Sequence, residues 1–118
     1  MKGRKGLRII IVGCGSIGYT IARELVSQRN MNITIIDSDA DILEQYTEAL
    51  DVKVITGSGV DEEILREAGA KDADLIVTTT EADEVNILSC IMAKHLGTQY
   101  AVARVRDPIF SSDYYRLW

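Results

Sequence analysis

Five short runs rich in β-branched residues punctuate the chain: LRIIIVG, NITIID, VKVIT, ADLIVTTT and YAVARV. Each is continuously apolar rather than alternating, which is the pattern of a strand covered on both faces in a parallel sheet. The segments between them are amphipathic. Over residues 16–29, Ile17, Ile21 and Leu25 recur at four-residue spacing, and over residues 39–50 Ile42, Leu43, Tyr46 and Leu50 form a similar stripe, so both predict helices lying on the sheet. A third, shorter helix is predicted from an N-cap at Asp61, through Ile64, Leu65 and Ala68, to a stop at Gly69. The fourth, residues 83–96, ends before Gly97 and is apolar around much of its girth, with Val85, Ile87, Leu88, Ile91, Met92 and Leu96. That excess predicts a second covered face, supplied by further C-terminal chain or by a partner subunit.

Strand and helix alternate with connections of a few residues, and no repeat or linker interrupts them. The prediction is a single α/β domain over residues 1–118, a Rossmann-like doubly wound parallel sheet without a C-terminal extension. Right-handed crossovers then place the first strand–helix turn at the carboxyl edge of the sheet, where such folds bind ligands at the switch in strand order.

Composition narrows the function. With 118 residues and 47% apolar content the chain supports one real core and no second domain. Thirteen Lys and Arg against 18 Asp and Glu give a net charge of −5, which argues against a broad nucleic-acid footprint. The basic start, Lys2, Arg4, Lys5 and Arg8, is read as a solvated tail. No apolar run approaches the ~20 residues of a membrane span, and no secretory signal opens the chain, so a soluble, cytosolic protein is expected. Cys14 and Cys90 lack metal-ligand spacing and are read as reduced thiols. A helix N-terminus could lower the Cys14 pKa, although a small residue tolerated at a variable motif position explains it more simply.

The chemistry concentrates in IIIVGCGSIG, residues 9–18. A lone G-x-G-x-x-G is weak evidence, but this one follows a predicted strand, opens a predicted helix, and is followed 19 residues later by Asp37 at the end of the second strand. Gly13 permits the tight turn, Gly15 lets a phosphate approach the backbone, and Gly18 lets the helix pack closely on the sheet. The N–H groups near Ser16 and Ile17 then meet the anion, with Cys14 completing the turn. Asp37 can accept both hydroxyls of an adenosine ribose and would repel a 2′-phosphate, favouring NAD or an adenine nucleotide over NADP. A helix cap is its alternative role, but Ser38 and Asp39 already supply capping groups.

Further candidates lie along the same edge. Gly57 and Gly59 follow the third strand, where either a ligand approach or a plain turn accounts for them. Thr78, Thr79, Thr80 and Glu81 follow the fourth, offering hydroxyls and a carboxylate to ribose or phosphate. Glu81, Asp83 and Glu84 could bind a divalent cation but more simply complement a helix dipole, and no metal site is predicted. Arg104 falls in the fifth apolar run and needs an anionic partner, either a nucleotide phosphate or a carboxylate. His95 is read as a helix C-terminal residue.

On these residues the chain resembles the N-terminal nucleotide-binding domain of the Trk-type potassium uptake regulators, the KTN or RCK domain. GCGSIG, TIIDSD, VITGSG, LREAGAKDADLIVTTTEADEVN and VARVRDP carry the resemblance, which spans essentially the whole chain. It implies NAD(H) or ADP/ATP in the crevice, with Gly13, Cys14, Gly15, Ser16 and Ile17 at the phosphate, Asp37 at the ribose, and Thr80, Glu81 and Arg104 added to the site. It also implies a dimer or larger ring that reports ligand state to a membrane potassium channel or transporter, at the inner face of the cell membrane. Relatives usually continue past the fifth strand, so YYRLW is expected to form an unnatural edge.

Two other functions compete. An NAD-dependent oxidoreductase fragment would need a substrate domain and an acid or base near the nicotinamide, and the sequence offers neither. A purely structural oligomerisation unit would not need the intact glycine and aspartate fingerprint. The prediction is therefore a regulatory binding module and not an enzyme.

Overall fold

The computed structural model describes residues 6–107 and the backbone of residues 116–117. Six strands, β1 (Leu7–Val12), β2 (Met31–Asp37), β3 (Lys53–Thr56), β4 (Leu75–Thr78), β5 (Tyr100–Ala103) and β6 (Arg116–Leu117), form one sheet in the order β3-β2-β1-β4-β5-β6. The first five are parallel and β6 runs antiparallel beside β5. The sixth strand was not predicted: two residues carry no readable period, and their pairing depends on β5. Most of the predicted YYRLW edge, and the basic residues Lys2, Arg4 and Lys5, lie outside the described residues.

The apolar runs are explained by burial on both faces. In β1, Ile9 and Ile11 enter the cluster built with α1 (Ser16–Val26) and α2 (Ala40–Ala49), while Ile10 and Val12 enter the cluster beneath α3 (Glu62–Glu67) and α4 (Asp83–Leu96). The two helix pairs therefore cover opposite faces, and the winding reverses between β1 and β4. All helix ends fall close to prediction except that of α1, which stops at Val26 instead of near Arg29. There the Ser27 hydroxyl turns back onto the Glu24 carbonyl at 2.7 Å, and Asn30 adopts a left-handed φ of 59° to start β2. Asp61 caps α3 through the Glu63 N–H, Gly69 follows its end with φ 90°, and Gly97 closes α4 with φ 129°.

α4 buries Asp83, Asn86, Ser89, Cys90 and Ala93, a small and polar stripe, while Leu88 and Ile91 stay 49% and 52% exposed. Of the large apolar residues that made this helix conspicuous in the sequence, Leu88 and Ile91 thus face outward, while Met92 and Leu96 pack against the core. Among the described residues no helix is long and apolar enough to cross a membrane.

Candidate functional site

A cavity of about 550 Å³ opens at the carboxyl edge of the sheet, over the point where the winding reverses. All eleven predicted contact positions except Gly18 line it: Gly13, Cys14, Gly15, Ser16, Ile17, Asp37, Gly57, Thr80, Glu81 and Arg104. Gly59 and Thr79, named beside them in the sequence, line it too, together with Ser58, Ile42 and Val85, which the sequence did not single out.

The three glycines of the turn differ in what surrounds them. Gly13 has φ 102° and donates its N–H to the Ile36 carbonyl at 2.8 Å, so the chain leaves β1 in a conformation that L side chains rarely adopt. Gly18 is buried in α1, and a Cβ there would run into the Gly13 carbonyl oxygen. It is a packing residue beneath the turn, and for that reason it does not line the cavity. At Gly15 an added Cβ meets nothing within 4 Å; the missing side chain leaves open space where the cavity reaches the backbone.

The start of α1 is chemically exposed. Gly15 provides no side-chain cap and the first turn holds no acid, in contrast to α2, where the Asp39 carboxylate accepts the Asp41 and Ile42 N–H groups. The amides at Ser16 and Ile17 meet the cavity at the positive end of the helix dipole. An anion is the chemical complement of such an end.

Asp37 faces this turn from the end of β2. One carboxylate oxygen accepts the Cys14 N–H at 2.8 Å and the other accepts the Asp39 N–H at 2.8 Å. The acid therefore ties the glycine turn to the start of α2 while lining the cavity, a role that spacing alone did not reveal. Each oxygen keeps a further lone pair, so the residue can still accept a hydroxyl. The capping of α2 belongs to Asp39, as expected.

Cys14 follows its simpler reading. Burial raises its thiol pKa to about 12, with the Asp37 charge adding to the effect, and Tyr46 donates its hydroxyl to the Cys14 carbonyl at 2.7 Å. The helix N-terminus does not activate it, and at neutral pH it is a packed thiol.

The threonines differ from expectation. The Thr78 hydroxyl turns into the α4 side and donates to the Asn86 carbonyl at 2.9 Å. Thr79 donates to the Val12 and Gly13 carbonyls, both at 3.1 Å, locking the turn from below. Thr80 donates to the Asn86 side-chain oxygen at 2.7 Å. These hydroxyl protons are spent inside the protein, so Thr79 and Thr80 shape the wall instead of presenting free donors. Gly57 and Gly59 line the cavity, yet added Cβ atoms would strike Ile64 and Val12 respectively. Packing accounts for both.

Arg104 is the first residue past β5, half-buried, and lines the cavity. Its N–H continues the ladder to the Thr78 carbonyl at 2.9 Å, and its guanidinium reaches the Thr79 carbonyl at 3.4 Å. The Asp83 carboxylate, held by the Arg106 and Asp107 amides, feels the Arg104 charge and is an anionic group near it among the described residues.

The acids at α4 diverge. Asp83 turns inward, accepting the Arg106 and Asp107 N–H groups at 3.0 and 2.7 Å, while Glu81 and Glu84 are exposed. Among the described residues no group of three or more His, Cys, Asp or Glu is placed to hold a metal ion. The two backbone hydrogen bonds hold the Asp83 pKa below its ordinary value of 3.8. Its contribution to stability is thus complete above 3.8 and lost as pH falls through the lowered folded value. Thermal melts below pH 3.8 are expected to show a steeper acid loss for the parent chain than for Asp83→Asn; equal slopes would remove this clamp from the account.

Asn86 was missed. It is fully buried on α4 and its amide is satisfied on both sides, by Thr80 and by Arg104. The available signal was a polar residue in phase with Asp83, Cys90 and Ala93 on the inward stripe.

A doubly wound sheet with a glycine turn after its first strand, an uncapped helix behind that turn and an acid closing the second strand defines a Rossmann-like domain. The family model for the TrkA-N domain matches residues 9–117, and the chain belongs to that family. It is 40% identical over 108 residues to the Trk system potassium uptake protein TrkA of Vibrio alginolyticus, covering 91% of this chain and 23% of that protein. The chain thus spans just under a quarter of the length of the curated relatives it matches. Among solved structures, the GsuK channel bound to NAD superposes with a TM-score of 0.78 at 25% identity, over 95% of this chain and 20% of that one. GsuK bound to ADP gives 0.77 at 25% identity, over 93% and 28%.

Proposed function

We propose that this domain is a regulatory nucleotide-binding module of a potassium uptake system or channel. It takes NAD(H) or ADP/ATP in the crevice, and the observation that carries the reading is the open backbone at Gly15 over an uncapped helix, with Asp37 bonded to the same turn and lining the same cavity. In this reading the diphosphate rests on the Ser16 and Ile17 amides within the turn formed by Gly13, Cys14 and Gly15, and Asp37 accepts the ribose hydroxyls. Arg104 supplies a positive charge to the same space, with Thr80 and Glu81 lining it beside the arginine. Family membership and the NAD- and ADP-bound GsuK structures support this choice of ligand.

The protein works in the cytoplasm, peripheral to the inner membrane face, as a homo-oligomer attached to a potassium channel or transporter. The outward Leu88 and Ile91 on α4 support a subunit contact. Ligand control then follows from differential affinity for two conformations of the assembly, since a ligand that bound both equally would shift nothing. The oxidoreductase alternative gains no support: His95 is exposed in the last turn of α4 and does not line the cavity, and Cys14 is held as the thiol.

Calorimetric titration with NADH, NAD, ADP and ATP tests the reading, and failure of all four to bind would end it. Asp37→Ala is expected to weaken the binding ligand by at least ~1 kcal/mol, about fivefold. It also removes two charge-assisted hydrogen bonds, at Cys14 and Asp39, so a stability loss of about 1–3 kcal/mol should accompany it. Affinity unchanged in the folded variant would take Asp37 out of the site.

A further inference from the structure

We propose that Asn86 is a positioning residue for nucleotide binding, setting Thr80 and Arg104 at their places on the cavity wall through one buried side-chain amide. The inference rests on the nucleotide-binding reading above and adds to it a residue that does not line the cavity.

The geometry begins with backbone groups that have lost their sheet partners. β4 ends at Thr78 and β5 at Ala103, so the chain segments that carry Thr80 and Arg104 leave the ladder side by side. Among the described residues β6 pairs with β5 only at Ala101 and Val102. Asn86, one turn into α4 and 0% exposed, fills the gap between the two segments. Its Oδ1 accepts the Thr80 N–H at 2.9 Å and the Thr80 hydroxyl at 2.7 Å. Its Nδ2 donates to the Thr80 carbonyl at 3.0 Å and to the Arg104 carbonyl at 2.9 Å. The four interactions use both donors and both principal acceptor directions of the amide.

The consequence falls on Arg104. Its N–H is fixed by Thr78 and its carbonyl by Asn86, so both backbone groups are held and the side chain leaves a pinned Cα toward the cavity. A cation presented from a fixed backbone loses less conformational freedom on meeting a phosphate than one on a loose loop. Fixing Thr80 through three of its polar atoms likewise keeps the wall from collapsing into the ligand's space. No aliphatic side chain can do this, because each freed backbone group would need a new partner.

Asn86→Asp separates the two halves of the amide. It retains an acceptor for the Thr80 N–H but loses both donors, and its carboxylate would face the Thr80 and Arg104 carbonyls. NADH and ADP affinity is expected to fall at least about tenfold in the folded variant. In an Arg104→Ala background the same change is expected to cost less than about threefold, because the arginine through which it acts is gone. A merely structural role would lower the melting temperature but leave the two affinity effects additive, and that result would overturn the proposal. Should Asn86→Asp not fold, hydrogen exchange on the unaltered chain decides. Saturating NADH is expected to slow exchange of the Thr80 amide about tenfold or more, and no added protection there would equally overturn it. If the unaltered chain binds neither NADH nor any other nucleotide, the proposed function itself fails and this inference with it. Normal binding with unchanged affinity in the variant defeats the inference alone.

Discussion

Gly18→Ala is expected to destabilise the domain by about 3 kcal/mol, measured by urea unfolding, the upper part of the range for forcing extra volume into a packed site. The methyl group would meet the Gly13 carbonyl oxygen and stand 2.9 Å from the Thr79 hydroxyl. Neither neighbour can yield cheaply. Gly13 is committed to a φ of 102° and its carbonyl accepts from Thr79, which also bonds Val12. Separating α1 from the turn would disturb β1, β4 and the helix together. A loss below about 1 kcal/mol would show that the contact is slack and that the third glycine of the motif is not a steric requirement here.

The opposite behaviour is expected three residues earlier. Gly15→Ala should leave stability unchanged or raise it by up to about 1 kcal/mol, because φ −75° and ψ −162° suit any residue and glycine adds freedom to the unfolded chain. Among the described residues, chain neighbours aside, nothing lies within 4 Å of the new methyl. A diphosphate drawn to the Ser16 and Ile17 amides would meet it directly, so nucleotide affinity should fall at least about tenfold, equivalent to ~1.4 kcal/mol. Calorimetry on this variant beside its melting curve gives the test. Unchanged affinity would mean that the ligand keeps away from this stretch of backbone. Together the two substitutions separate a glycine that serves packing from one that serves binding.

Much of this arrangement is legible before any coordinates are seen. Continuous apolar runs such as Ile9–Ile10–Ile11–Val12, three glycines at fixed spacing and Asp37 are local signals, and local backbone physics turns them into strand, turn and carboxyl-edge acid. The cap at Asp61 and the glycine stop at Gly97 are equally local. What escaped depends on partners far along the chain. Asp37 serves Cys14 across 23 residues, Thr79 serves Val12 across 67, and Asn86 serves Arg104 across 18. No window of neighbouring residues contains those pairs. Arg104 was read inside a strand because its neighbours are apolar, whereas the ladder ends one residue earlier and a side-chain amide takes over its carbonyl. Cys14 by contrast follows its simpler reading, a packed small residue whose burial outweighs any helix dipole.

The central place of β1 also bears on how the protein is made. Its neighbour β2 follows soon after it in the chain, but its other neighbour, β4, begins only at Leu75. A nascent polypeptide can therefore assemble β3-β2-β1 while β1, with its run Ile9–Ile10–Ile11–Val12, still presents one open margin to solvent. Synthesis must carry on past Thr78 before that margin is sealed, and the crevice cannot take shape any sooner, because Thr79, Thr80 and Arg104 arrive last. The half-made domain is consequently its most adhesive stage, and the one in which a chaperone has most to hold.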